Sequence, residues 1–390
     1  MAVHDNDVAR LPAQSPAHRT FLERMWRLEN VERPGFMFGY VGPKVKGGSP
    51  IKSALFSVEG TGTVRQRLQD PEMFLQAQLE ELKATAVLPG DVVSSLCPAF
   101  GVVSIPSAFG SEVVWWEDNL PAVHPACDGE AGSVDALQVP DLTNGEVPRI
   151  IATTKHFIER TAGAVPIRLT DVQGPLDAST LIAGHTEFLA LMKTDPDVAH
   201  RLLRKVTDFI ISLVTAQREL ARQRGVEFVP SMFQPWLPDG MGVSVANDEC
   251  VMLSAAMHDT FSVPYMNMLS EEFGGVFMHS CGDWTHQFSS LEKVHNLRGL
   301  EFGSTEAHYE KVLGHFGGKK VLACRVGLHR DMHFDGMMDY VERILRAART
   351  YRGLFINVDV TNGIVDDTWP ETDIQAIAQR ISSPPPKDIG

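Results

Sequence analysis

The segment Gly275-Val276-Phe277-Met278-His279-Ser280-Cys281-Gly282-Asp283 closes an apolar run with an imidazole and a thiol two positions apart. In an extended backbone, residues i and i+2 project to the same side. His279 and Cys281 can therefore face one ion, and imidazole nitrogen with thiolate sulfur is a pairing that Zn²⁺ favours. Farther along, Val321-Leu322-Ala323-Cys324 ends a second apolar run in a thiol, and between the two Gly299-Leu300-Glu301 supplies a carboxylate. Neighbouring parallel strands lie about 4.8 Å apart, so three strand ends can meet round one metal. The pattern predicts zinc held by His279, Cys281 and Cys324, with Glu301 as the fourth ligand. Taken singly, a packed thiol and a satisfied core histidine are the commoner fates of these residue types. Repetition of the pattern at a second strand end is what favours a metal. Cys97, Cys127 and Cys250 have no such setting and are expected to pack.

These side chains need a scaffold that aligns strand ends. After Pro148, short apolar and β-branched runs alternate with helical patterns. The predicted strands are Val165–Asp171, Val226–Met232, Gly242–Ala246, Val276–His279, Gly299–Phe302, Val321–Cys324 and Leu354–Val358, and the Phe36–Val41 run makes eight. Between them, Asp197–Arg222 carries Leu202, Val206, Phe209, Leu213 and Val214 on one stripe, a core-facing helix. Residues 64–88 read as one more helix, and Val113–Trp116 as part of a β-hairpin arm. Eight strands alternating with helices predict an α/β fold: a single (β/α)8 TIM-type barrel with an N-terminal helical and β-hairpin extension. The expected organisation is an arm and helix over 1–33, the barrel over 34–381 and a tail over 382–390. A barrel carries its chemistry at the C-terminal ends of its strands. That rule selects Asp171, Gln173, Asn247, Asp248, His279 to Asp283, Glu301, Cys324, Arg325, Asn357 and Asp359. His308, His329 and His333 could also line the mouth.

Composition narrows the function classes. The 390 residues are 44% hydrophobic and 22% charged, an ordinary globular balance. With 35 Lys and Arg against 49 Asp and Glu, the net charge is −14, which argues against nucleic acid as a partner. No apolar run approaches the ~18 residues of a membrane span, and the polar start MAVHDNDVARLPAQSPAHRT has no apolar signal core. Five scattered cysteines point to reduced thiols and a cytoplasmic setting.

The motifs Asp171-Val172-Gln173-Gly174-Pro175, Asn247-Asp248-Glu249 to Leu253-Ser254, Val263-Pro264-Tyr265 and His279-Ser280-Cys281-Gly282 occur in one order. In this they resemble the uroporphyrinogen decarboxylase superfamily, over roughly Arg19 to Ile381. The His-x-Cys with a late Cys is similar to its zinc methyltransferase branch. That branch contains methylcobalamin:coenzyme M methyltransferases and bacterial corrinoid-linked demethylase components. The Arg-Gln-Ala-Gly-Arg motif of true uroporphyrinogen decarboxylases has no counterpart near Arg33 to Tyr40. The resemblance implies a methyl group moving between a corrinoid carried on a partner protein and a thiol or tetrahydrofolate. It also implies substrate-orienting roles for Asp171, Gln173 and Asp248 at the mouth; Asn357, at the end of the last strand, is expected to share them. Zinc would keep a bound thiol deprotonated and nucleophilic. Two other readings stay open: a metal-free decarboxylase, and a non-catalytic metal-binding barrel.

Overall fold

The computed structural model describes residues 16–39, 62–326, 334–358 and 373–387. Among the described residues, eight parallel strands lie where the apolar runs predict them. Strand β1 is Gly35–Phe38, and a hairpin pairs β2 (Glu112–Val114) with β3 (Ala122–His124). The others are β4 (Ile167–Arg168), β5 (Phe228–Val229), β6 (Val243–Ala246), β7 (Val276–Ser280), β8 (Leu297–Gly303), β9 (Val321–Arg325) and β10 (Leu354–Val358). One six-stranded sheet runs β1-β10-β9-β8-β7-β6, and β4 pairs with β5. Backbone hydrogen bonds carry the ring onward. The Ser244 amide donates to Pro230, the Leu96 amide to Pro166, and the Asp91 amide to Phe36. The sheet thus bends round on itself as a barrel, with helices outside.

Both faces of these strands are buried, as in other parallel sheets. Val243, Val245, Met278, Leu300, Phe302, Leu322, Cys324, Ile356 and Val358 pack outward against helices such as Pro196–Gln223. Phe277, Val321, Ala323, Phe355 and Met37 pack inward with Leu22, Met25 and Trp26 of the helix Pro16–Trp26. That helix plugs the barrel at the N-terminal ends of the strands. Trp26 meets Phe277 edge-on at 5.1 Å and donates its indole N–H to the Trp236 carbonyl. Gly35 permits the seat: a Cβ there would lie 2.7 Å from the Phe355 ring and 3.2 Å from the Met25 sulfur.

One expected element divides. Residues 64–88 form two helices, Val64–Gln69 and Pro71–Ala86. Asp70 precedes a proline, which disfavours helical backbone, and it sits extended at φ −111°. Its carboxylate caps the second helix by accepting from the Glu72 and Met73 amides. Helix Pro196–Gln223 matches the expected stripe, with Asp195 as its cap. Among the described residues, no helix is long and apolar enough to cross a membrane.

Candidate metal centre

His279 is the fourth residue of β7 and pairs with Ala246 on one side and Glu301 on the other. Its side chain is 11% exposed. The Nδ1–H donates to the Glu301 carboxylate, and the ring stacks on Phe233 with centroids 4.4 Å apart. Both contacts fix the ring and turn Nε2 toward Cys281 Sγ at 3.4 Å and Asp248 Oδ1 at 3.6 Å. Burial disfavours the imidazolium, but the Glu301 carboxylate and the Cys281 hydrogen bond outweigh it and hold the His279 pKa above its ordinary value.

Asp248 comes from the turn after β6. The Cys281 amide donates to its Oδ1 at 2.6 Å, and its own amide donates to Asp177 Oδ2 at 2.7 Å. Asp177 also accepts from the Glu249 amide at 3.0 Å, and its burial lifts its pKa well above the usual carboxylate value. Asp177 belongs to the helix Pro175–Ala183, which reaches this turn because Gly174 lies against β6. A Cβ on Gly174 would sit 2.2 Å from the Ala246 carbonyl oxygen. The result is a cluster of one nitrogen, one sulfur and one oxygen donor: His279, Cys281 and Asp248 offer ligand atoms within 4.8 Å of one another.

Two of the expected ligands are placed otherwise. Cys324 is outside the cluster. The register aligns Glu301 with Ala323 and Phe302 with Cys324. Ala323 therefore shares the inward face with Glu301, and Cys324 lies on the helix-facing side with Phe302 and Ile356. Its thiol is fully buried, with its pKa pushed upward by that burial. Glu301 lies at the site, but its oxygens are committed to His279 Nδ1 and, at 2.8 Å, to Arg325 Nε. It orients the histidine, the usual arrangement behind a metal-ligating imidazole. Burial alone would raise the Glu301 pKa; Arg325 and His279 reverse this and hold it below the usual value.

Asp171 and Gln173 are neighbours of the cluster. Gln173 Nε2 donates to Asp171 Oδ1 at 2.9 Å, and Asp171 feels the charges of His279 and Asp248. Burial raises the Asp171 pKa to about 6. Asn357 lies at the end of β10 on the face of Phe355. Its Oδ1 is buried and has no hydrogen-bond partner among the described residues. Asp359, His329 and His333 lie outside the described residues. His308 faces Asp283 at 3.6 Å, half exposed. The strand-end rule selected Arg325 without giving it a part; Asp177 escaped it because it sits on a helix, and Phe233, which directly follows the predicted strand Val226–Met232, because it is apolar.

Residues 56–232 match the family model for uroporphyrinogen decarboxylase. Uroporphyrinogen decarboxylase of Xanthomonas campestris pv. campestris is 28% identical over 177 residues, 44% of each chain. The Xylella fastidiosa enzyme is 26% identical over 221 residues, 54% of each. The matched stretches thus span about half the length of these curated relatives. A solved methyltransferase from Methanosarcina mazei covers 94% of this chain and 97% of its own, with a TM-score of 0.62 and 14% identity, a likeness of fold. The family match in the first half, and a fold shared along nearly the whole length, agree with the ordered motifs at the barrel mouth, and over residues 56–232 the chain is similar to the uroporphyrinogen decarboxylase family.

Proposed function

We propose that this protein is a zinc-dependent methyltransferase that moves a methyl group between a corrinoid carried by a partner protein and a thiol or tetrahydrofolate acceptor. The observation that carries the reading is the His279, Cys281 and Asp248 cluster at the strand ends. The donor set suits zinc: a thiolate, a carboxylate and an imidazole whose other nitrogen is already tied to a carboxylate. His279 Nε2, Cys281 Sγ and an Asp248 oxygen would hold the ion. Bound there, zinc would supply a thiolate nucleophile by lowering the pKa of a coordinated thiol.

The chain's own residues do the rest. Glu301 keeps the His279 Nδ1 proton in place and so keeps Nε2 aimed at the site. Asp177 holds the Asp248 turn through two amides. Asp171, its pKa raised by burial to about 6, can carry a proton beside the cluster, with Gln173 fixing its orientation. The unpartnered Asn357 Oδ1 can accept a hydrogen bond from a substrate donor. Positioning of acceptor against donor contributes at least as much rate as activation of the thiol.

A metal-free decarboxylase is the second reading. It is favoured by the names of the curated relatives and by the position of the family match, which ends at residue 232, before any of the three donors. Metal content separates the two. Protein purified without added metal should hold about one zinc per chain. Cys281→Ala and His279→Ala should lose it while keeping the far-ultraviolet circular dichroism of the native protein. Zinc-bearing wild type should then convert methylcobalamin to cob(I)alamin with homocysteine, coenzyme M or tetrahydrofolate. A zinc-free protein that releases carbon dioxide from a porphyrinogen would establish the second reading instead.

A further inference from the structure

Arg325 is the last residue of β9, two positions beyond Ala323 and therefore on the inward face, opposite Gly303. Gly303 has no side chain to occupy that space. The guanidinium is 11% exposed. Its Nε donates to Glu301 Oε1 at 2.8 Å, and its Nη2 approaches Cys281 Sγ at 3.5 Å and Glu306 Oε2 at 3.8 Å. Glu306 in turn accepts from the Gly282 amide, next to Cys281, at 3.4 Å. One buried cation thus touches the carboxylate that orients His279 and the sulfur of Cys281. A guanidinium suits this task because its donors are fixed in one plane and aim in several directions.

We infer that Arg325 is a positioning residue that couples two of the three metal ligands, holding Glu301 against His279 and donating an N–H to the Cys281 sulfur. The inference rests on the metal-centre reading above and adds an electronic consequence to it. A hydrogen bond to a thiolate draws charge from sulfur, so Cys281 donates less to the metal than a bare thiolate would. The centre has one thiolate, not two, and that one is hydrogen-bonded by a cation. It is therefore poorer in electrons than a two-thiolate site, and closer in character to a nitrogen and oxygen centre.

Cobalt(II) loaded into the purified protein gives a direct readout through the sulfur-to-cobalt charge-transfer band, which moves to longer wavelength as sulfur becomes a better donor. The wild type should show the band. Arg325→Met, which removes the donors and keeps bulk, should shift it to longer wavelength and weaken cobalt affinity by about 10–100-fold. A band that stays at the wild-type wavelength in a folded Met variant overturns the Arg325 role and leaves the metal reading intact. Absence of the band in the wild type overturns the metal reading, and this inference with it. If the Met variant does not fold, Arg325→Lys carries the test. An ammonium is a point charge and cannot fix both Glu301 and Cys281, so cobalt affinity must drop by at least about tenfold. Wild-type affinity in the Lys variant counts against the inference.

Discussion

At the floor of the barrel Phe277, Val321 and Phe355 close on Trp26; farther along the same strands, His279, Arg325 and Asn357 occupy the mouth. Each pair shares an inward face, since two or four residues separate its members. The backbone is the same, yet one end is sealed by an apolar helix and the other carries an imidazole, a guanidinium and an amide. The floor supplies stability: every buried aromatic there contributes roughly 1.5–3 kcal/mol. The mouth consumes stability, because it buries Asp171, Asp177, Glu301 and Arg325, and buried charges cost free energy unless paired. An apolar plug at one end thus lets the other end hold a strained set of charges.

The largest expected effect comes from breaking the floor. Phe277→Ala removes the ring that meets Trp26 and should destabilise the protein by about 3–5 kcal/mol. Denaturant melts would measure this. Zinc stoichiometry, taken where the variant is still folded, should stay at the wild-type value. Loss of metal from a well-folded Phe277→Ala protein would mean that the two ends are not separable.

Asp171 sharpens the comparison from the other side. Burial raises its pKa to about 6, above the ordinary 3.8, so the folded state keeps a proton that the unfolded state releases earlier. The stability contribution is whole below about pH 4 and fades as pH rises through about 6. Asp171→Asn has no proton to lose. Its stability relative to wild type should rise by about 2–3 kcal/mol between pH 4 and pH 8. A flat difference across that range would show that Asp171 does not titrate as a buried group.

The smallest effect tests the side of β9 on which Cys324 lies. Cys324→Ala should cost about 1–2 kcal/mol as a core truncation and leave zinc content unchanged. Elemental analysis beside that of Cys281→Ala decides the matter. Equal loss of zinc in both would restore the two-thiol site.

All eight parallel strands and the hairpin arm were legible in the sequence, because apolar runs broken by polar and glycine-rich segments announce themselves locally. The pairing of His279 with Cys281 was legible too, since i and i+2 is a property of any extended chain. Cys324 was misread at the same level. It ends its run as His279 and Cys281 end theirs, but the run Val321-Leu322-Ala323-Cys324 is apolar throughout and buried on both faces, so it has no alternation that marks an inward side.

What the sequence determined by itself is the set of strands, their order and the alternation within each. The tertiary structure alone decided which side of each strand faces inward and how neighbouring strands align. A shift of one residue in register exchanges the two faces of a strand, and that single choice put Ala323 beside Glu301 and sent Cys324 to the helices. It also turned Arg325 toward Cys281. Asp248 reached His279 only because β6 lies beside β7, and Asp177 reached Asp248 only because Gly174 lets a helix touch β6. These contacts join residues far apart along the chain, and their geometry is set by packing of the whole barrel, which no local spacing encodes.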